Sequence, residues 1–123
     1  MTNQEIDKAL SEGGIVDITT VGRKSGRPHR IECIFYSLDG RLFISGRPDA
    51  RKRDWLANIE KHSDFTFHLK RGIDADLPAV ARPVRDETER RELLKRIPSV
   101  GQEYDFEERV KKSPLIEVTI RRP

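Results

Sequence analysis

The segment from Val16 to Leu38 has the pattern of two β-strands joined by a short loop that is rich in glycine and positive charge. Val16 to Thr20 is mostly β-branched and Arg30 to Leu38 is mostly apolar, and both compositions favour strands. The glycines of the loop, Gly22 to Pro28, supply backbone angles that a hairpin needs. The loop also contains three cations and one hydroxyl, and it has no acidic residue. A hairpin does not need these charges. The sequence therefore predicts a hairpin with an added function.

We infer that this loop binds an anion. Backbone N–H groups of a glycine-containing turn, the fork of an arginine and the point charge of a lysine together form a strong anion site. A hairpin whose charges are simply solvated is the alternative. Arg30, which opens the following strand, is either a further ligand or an ordinary surface residue. The candidate anion-binding residues of the loop itself are Arg23, Lys24, Ser25, Gly26 and Arg27.

The charge of the whole chain shows that the basic site is local. Its 123 residues include 24 Lys and Arg against 21 Asp and Glu, which gives a net charge of only +3. A protein that coats nucleic acid carries a larger excess of positive charge, so we expect no nucleic-acid partner. The length predicts one domain over residues 1–123, with residues 1–14 as an N-terminal helical segment.

The single cysteine and the hydropathy pattern indicate the compartment. Cys33 has no partner for an internal disulfide, so a reducing, cytoplasmic location is expected. No apolar run approaches the ~18 residues that a membrane-spanning helix needs. His29, His62 and His68 lack metal-ligand spacing with Asp, Glu or Cys, and no metal site is predicted. His68 lies on the polar face of an alternating strand and is expected to be exposed.

Periodicity and turn residues predict about six short strands and three or four short helices. The predicted strands are Ile15 to Thr20, Arg30 to Leu38, Arg41 to Ser45, Phe65 to Leu69, Ala79 to Arg85 and Ile116 to Ile120. The predicted helices are Thr2 to Ser11, Ala50 to Lys61 with Asp49 as its N-cap, Asp86 to Arg96, and Tyr104 to Lys112. Asp39-Gly40 is predicted to form a hairpin turn and residues 70–78 a loop, while Pro83 places its strand at the edge of the sheet.

Hairpin connections make the predicted sheet largely antiparallel. The strand Arg30 to Leu38 carries apolar residues on both faces, which is typical of a strand in a closed barrel or beneath a partner. The predicted fold is therefore mainly β with flanking helices, a small barrel with helices at its ends and gaps. Within it, Glu32 either pairs with an arginine such as Arg82 or faces water, and Trp55 packs in the core beside Ile59.

Several segments together resemble the deazaflavin-dependent nitroreductase family. They are Ile18 to Pro28, Asp39-Gly40, Ser45 to Pro48 and Arg53 to Asn58, and with the last strand the resemblance covers roughly residues 15–120. That family has the split β-barrel fold shared with the FMN-binding pyridoxamine-phosphate oxidases. The resemblance therefore implies a split β-barrel.

The resemblance also implies a reductase that uses the reduced deazaflavin coenzyme F420. Hydride passes in this family from the deazaflavin to an electron-poor small molecule such as a quinone, a nitro compound or an activated alkene. The basic loop is expected to hold the phosphate and acidic tail of the cofactor. The resemblance suggests five further cofactor-binding residues: Ser45, Gly46, Arg47, Arg53 and Trp55. The alternative for Ser45 to Arg47 is that they only connect a strand to a helix.

The chain departs from the family pattern at two places. Gly46-Arg47-Pro48 stands where family members tend to carry a Gly-Gly pair after the serine, and Pro48 removes an N–H that would otherwise face the ring. His29 stands where arginine is common. FMN is therefore the alternative cofactor.

The sequence leaves a second class of function and the assembly state open. A non-catalytic module that binds a flavin, a deazaflavin or another anionic cofactor would use the same loop. Tyr104 is either a proton donor beside the acceptor or a surface aromatic residue. No catalytic residue is assigned, because the cofactor itself carries the hydride. A homodimer is expected, since split-barrel relatives often pair.

Overall fold

The structure, a computed structural model, describes residues 2–49, 51–99 and 103–122. These ranges contain six strands and four helices. The strands are β1 (Gly14–Val21), β2 (Pro28–Leu38), β3 (Arg41–Ser45), β4 (Asp64–Leu69), β5 (Ala75–Pro83) and β6 (Leu115–Ile120). The helices are α1 (Asn3–Glu12), α2 (Asp54–Lys61), α3 (Glu87–Arg96) and α4 (Phe106–Lys112).

The six strands form a closed barrel in the order β1-β2-β3-β6-β5-β4, and β4 pairs with β1 to complete it. Every pair is antiparallel, so the predicted antiparallel barrel with flanking helices is confirmed. Alternate apolar side chains of the strands fill its interior. Phe35 and Phe67 meet there edge to face with their ring centroids 5.1 Å apart, and Val16, Ile18 and Ile116 are completely buried in the same core.

β2 changes its partner along its length. It pairs with β1 from Pro28 to Phe35 and with β3 from Phe35 to Leu38. Before Phe35, the edge of β2 that faces away from β1 pairs with no strand in the part of the chain that the structure describes. The barrel wall is therefore split beside β2, and residues of this stretch of β2 line the clefts described below.

A second apolar core lies between the barrel wall and the two C-terminal helices. Phe43 of β3 is buried in one cluster with Leu93 and Leu94 of α3 and Val110 of α4. This cluster attaches α3 and α4 to the barrel. None of the helices in the described residues is long and apolar enough to cross a membrane.

Aspartate side chains begin both of these helices. Asp86 accepts a hydrogen bond from the Glu89 N–H at 2.9 Å, which confirms the predicted start of α3. Asp105 accepts in the same way from the Glu108 N–H at 3.1 Å. Because an N-cap takes up a helix N–H that has no acceptor within the helix, α4 begins after Asp105 and not at Tyr104 as predicted.

The predicted start of α2 is wrong. The helix begins at Asp54, and Arg53 occupies the N-cap position with extended backbone. Asp49 is not the cap; its carboxylate accepts a hydrogen bond from the Arg51 N–H at 3.1 Å. The predicted first residue, Ala50, lies outside the described residues. The later start places the Asp54 carboxylate in the first turn, where the helix macrodipole favours negative charge, and leaves the preceding cations outside the helix.

β5 is longer than predicted and is not an edge strand. It begins at Ala75, so part of the predicted loop over residues 70–78 belongs to it, and it lies between β4 and β6. Pro83 is the last residue of the strand, where its missing N–H ends the ladder without marking an edge. Ala75 and Leu77 continue the core-facing alternation of Ala79 and Ala81, but Pro78 within this stretch is unfavourable in an inner strand and hides the signal.

His68 is buried, and its predicted exposure is wrong. Its imidazole lies between Thr19 of β1 and Asp76 of β5. Nε2 is 2.6 Å from the Thr19 hydroxyl oxygen, and Nδ1 is 2.7 Å from the Asp76 carboxylate. The hydrogen bond from His68 lowers the pKa of Asp76. One side chain therefore joins three neighbouring strands, a role that depends on the strand order and is invisible in the local sequence.

Glu32 does not pair with Arg82. Its carboxylate binds the Lys70 ammonium, and its side chain is 58% exposed. Arg82 instead binds Glu89 at 2.7 Å and Glu117 at 2.9 Å. Of the two alternatives that the sequence left open, the solvent-facing one is correct.

Candidate functional site

Two clefts adjoin at Ile31 and Trp55, which line both of them. The larger cleft has a volume of about 640 Å³ and the smaller one about 400 Å³. The smaller cleft lies between the basic loop and α2. The larger cleft lies among β2, the connector after β3 and the C-terminal part of the chain.

The basic loop lines the smaller cleft with a cation and has free backbone donors. Lys24 and Ser25 line this cleft together with His29 of β2. Within the described residues, the Lys24 ammonium and the backbone N–H groups of Lys24 and Ser25 have no acceptor. A positive charge beside two adjacent free N–H groups is the arrangement that binds an anion.

Arg23 anchors the loop to α2. Its guanidinium donates to the side-chain oxygen of Asn58 at 2.9 Å and to the Asp54 carboxylate at 3.2 Å. Lys61 donates to the backbone carbonyl of Arg23 at 3.1 Å. The Arg23 cation is therefore largely occupied by protein partners, and its role is to position the loop.

Asn58 is the buried centre of this anchor. Its side-chain oxygen also accepts from the Arg23 N–H at 3.1 Å, and its amide nitrogen donates to the Thr20 hydroxyl at 3.1 Å. Asn58 is only 4% exposed. Asn58 was not predicted as a site residue from the sequence. Its position on the same helix face as Trp55 and Ile59 did indicate a buried polar side chain.

Gly22 lies where two polar side chains crowd the backbone. A Cβ atom at this position would lie 2.5 Å from Ser25 Oγ and 2.8 Å from His29 Nε2. The loop closes through hydrogen bonds from the Gly22 N–H to the Arg27 carbonyl at 2.8 Å and from the Gly26 N–H to the Gly22 carbonyl at 2.9 Å. Glycine is needed here because the Ser25 and His29 side chains occupy the space of a Cβ, and these two polar side chains, which line the smaller cleft, fit the anionic part of a cofactor.

Gly26, Arg27 and Arg30 line neither cleft. Arg27 is exposed in the loop, and its N–H donates to Ser25 Oγ at 3.1 Å. Arg30 binds the Asp17 carboxylate at 2.9 Å. The structure therefore brings the other three predicted loop residues into the smaller cleft and leaves these three outside it.

The connector after β3 forms one wall of the larger cleft. The Ser45 hydroxyl donates to the Pro114 carbonyl at 2.7 Å, so it is already used within the protein. Arg53 lies over Gly46, with its Cζ atom 3.6 Å from the position that a Cβ would take there, and donates to the Arg47 carbonyl at 3.2 Å. The Nε atom of Arg53 is buried and has no hydrogen-bond partner among the described residues. A bound polar group can satisfy that N–H.

Trp55 both packs in the core and faces the clefts. It contacts the barrel core that includes Ile59, as the sequence predicted, and it lines the two clefts where they adjoin. The two interpretations of this residue are therefore compatible.

Tyr36 and Tyr104 line the larger cleft, and so does Cys33. Burial raises the pKa of Tyr36, and burial together with the nearby carboxylates raises the pKa of Cys33 to about 12. Sequence analysis missed Tyr36 because it follows the apolar pattern of its strand. Among the described residues, no group of three or more His, Cys, Asp or Glu side chains is arranged to hold a metal ion.

The sequence matches the family model of the F420H(2)-dependent quinone reductases over residues 1–122. The chain belongs to this family. It is therefore an oxidoreductase, and F420 is its expected cofactor. This membership confirms the resemblance to deazaflavin-dependent reductases and favours F420 over FMN. No protein with a curated description matches the sequence.

Solved structures show the same fold. A Bacteroides thetaiotaomicron protein provisionally described as a 5-nitroimidazole antibiotic resistance protein has a TM-score of 0.71 at 10% identity, covering 98% of this chain and 81% of that one. A provisionally named pyridoxamine 5'-phosphate oxidase from Listeria innocua has a TM-score of 0.67 at 12% identity, covering 97% and 93%. An FAD-binding protein from Mesorhizobium loti has a TM-score of 0.66 at 10% identity, covering 99% and 91%. These similarities confirm the split β-barrel.

Proposed function

We propose that this reductase transfers hydride from F420H2 to an electron-poor small molecule, with a quinone as the first candidate acceptor. The observation that carries the proposal is the meeting of two clefts of different chemistry at Trp55. A basic cleft beside a larger cleft with apolar and phenolic walls suits a cofactor with a charged tail and a flat ring. Nitro compounds and activated alkenes share the electron-poor character of quinones and are the other candidate acceptors.

In this arrangement the basic loop binds the phosphate and acidic tail of the cofactor. Lys24 supplies a positive charge, and the N–H groups of Lys24 and Ser25 supply hydrogen bonds. Bonds of this kind between ionised groups are stronger than neutral ones. Arg23 contributes indirectly, because its bonds to Asn58 and Asp54 hold the loop in place.

The larger cleft receives the ring of the cofactor and the acceptor. Trp55 offers an aromatic surface at the point where the two clefts adjoin. The unpartnered Nε–H of Arg53 and the backbone of the connector are available to the polar edge of a ring. Ile15, Ile34 and Ile97 supply apolar walls that exclude water.

When bound, the reduced deazaflavin supplies the hydride, so the chain itself needs no nucleophile or metal for this chemistry. The protein's part is to orient the two reactants and to provide a proton to the reduced acceptor. Tyr36 is protonated at neutral pH, as a tyrosine ordinarily is, and burial raises its pKa further. Its phenol lines the larger cleft and can donate a hydrogen bond to the oxygen of the acceptor.

Anaerobic assays test the proposed function. F420H2 is mixed with the protein and, in separate reactions, with a quinone, a nitroaromatic compound or an activated alkene, and the absorbance of oxidised F420 is followed. We expect oxidation that requires both protein and acceptor and is fastest with the quinone. Trp55→Ala should slow it, whereas Arg121→Ala, at an exposed pair with Asp64, should not. F420 binding without oxidation by any acceptor would contradict the proposal and favour the non-catalytic module.

A further inference from the structure

His29 reaches the smaller cleft from a strand. It lies opposite Thr20 in the ladder between β1 and β2, next to the basic loop. Its Nε2 atom and Ser25 Oγ lie 2.8 Å and 2.5 Å from a single point, the position that a Cβ would take on Gly22. Two polar atoms from separate segments therefore converge above a bare stretch of backbone inside the cleft.

The imidazole of His29 has no protein partner in the described residues, in contrast to His68, which is hydrogen-bonded through both ring nitrogens. The charged groups that face this cleft are Arg23 and Lys24 of the loop and Asp54 of α2. Asp54 and Arg23 are paired with each other at 3.2 Å. The unpaired charge beside His29 is therefore the Lys24 cation, and β1 adds only the neutral Thr20 hydroxyl.

We propose that His29 is a cofactor-binding residue that makes the affinity for F420 depend on pH. This inference rests on the proposed binding of the anionic part of F420 at the basic loop. A protonated imidazole adds a positive charge and donates from both ring nitrogens, whereas the neutral ring donates from only one. Arginine at the same position stays charged at all relevant pH values. The histidine thus strengthens binding as the pH falls.

Three variants of the full-length protein test this assignment. His29→Arg keeps the charge at every pH, His29→Gln removes it at every pH, and His62→Gln changes an exposed histidine that lines neither cleft. His29 is itself exposed, so the variants are expected to fold. F420 dissociation constants are measured by fluorescence between about pH 5.5 and 8, the range in which imidazole titrates.

We expect the affinity of the parent protein to fall by roughly tenfold as the pH rises across this range, which is the loss of one charge-assisted contact. His29→Arg should bind tightly throughout, His29→Gln should bind weakly throughout, and His62→Gln should follow the parent. Any slope that remains in His29→Arg comes from groups other than His29, those of the ligand included, and is subtracted.

Calorimetry supplies a readout that does not depend on catalysis. F420 binding is measured near neutral pH in two buffers of different ionisation enthalpy, which reports the protons taken up. The parent and His62→Gln should take up a fraction of one proton per bound F420, and the His29 variants should take up less. Equal pH slopes in the parent and His29→Arg would overturn the role of His29 while leaving the proposed function intact. Absence of F420 binding by the parent at every pH would instead contradict the proposed site.

Discussion

Arg90 of α3 and Arg109 of α4 each bind backbone carbonyls at the C-terminal end of the other's helix. Arg90 donates to the carbonyl oxygens of Val110 and Ser113 at 2.7 and 2.6 Å, and Arg109 donates to that of Ile97 at 2.7 Å. Each cation therefore meets the negative end of a helix macrodipole. These hydrogen bonds hold α3 against α4 beside the larger cleft, which Arg109 and Ile97 line.

Arg90→Leu should destabilise the protein by about 2–4 kcal/mol, because several carbonyls in a partly buried region lose their donor. The Val84 carbonyl, which accepts from Arg90 at 2.9 Å, is among them. Burial lowers the pKa of Arg90, yet an arginine remains charged in proteins. Urea unfolding measures the change. The control is Arg91→Leu, whose ion pair with Glu107 lies at the surface and should contribute little to stability. Equal losses in both variants would contradict the capping role.

Lys24→Ala should weaken F420 binding by roughly tenfold or more, since a charge-assisted contact is worth about 1.5–3 kcal/mol. Arg27→Ala should weaken it less, because Arg27 carries charge in the same loop but lines neither cleft. Both losses should shrink as salt rises, and Arg121→Ala should bind like the parent. If both loop variants bind F420 normally at low salt, the loop is only a hairpin.

Gly22→Ala should reduce the affinity for F420 while changing the free energy of unfolding by under ~1 kcal/mol. The added Cβ would displace the Ser25 and His29 side chains from the smaller cleft, and these are flexible groups at the surface. Gly40→Ala is the matched contrast. Gly40 has a φ of +80° and open space around it, so this change should cost about 1 kcal/mol of stability through backbone strain and leave F420 binding unchanged. The reverse pattern in fluorescence titrations and urea unfolding would refute the prediction.

Cys33 should react very slowly with Ellman's reagent in the folded protein. Burial and the nearby Asp17 and Glu32 raise its pKa to about 12. At about pH 8, roughly one such thiol in ten thousand is ionised, against about a quarter of unperturbed cysteines. The same protein unfolded in urea should react at the normal rate. Labelling of the folded protein at a comparable rate would show that the thiol is not protected.

A homodimer is the expected assembly. The larger cleft is open where the barrel wall is split, and a second copy can cover it. Light scattering at micromolar concentration should give twice the 14.2 kDa mass of the monomer. A mass near that of the monomer would count against the dimer, and binding of F420 by the monomer would show that the site does not require it.

Much of the secondary structure could be predicted because its signals are local. Asp39-Gly40 forms the expected turn, with φ of 53° and 80°, and Asp86 caps α3 as the spacing indicated. The errors occurred where distant residues decide the outcome. The start of β5 depends on its pairing with β4, and the burial of His68 depends on partners contributed by two other strands.

The hairpins of the barrel, the glycine-containing basic loop and the family can be predicted from the amino-acid sequence, since these follow from neighbouring residues and a pattern spread along the chain. Which cations are free depends on contacts between distant parts of the folded chain. Arg23 and Lys24 are equivalent candidates in the sequence and Arg30 is an open one, but Arg23 binds Asn58, 35 positions away, and Arg30 binds Asp17, 13 positions away. Charges interact through space and not along the chain, so Lys24 is identified as the cation available to a ligand in the smaller cleft only when the barrel and α2 are in place.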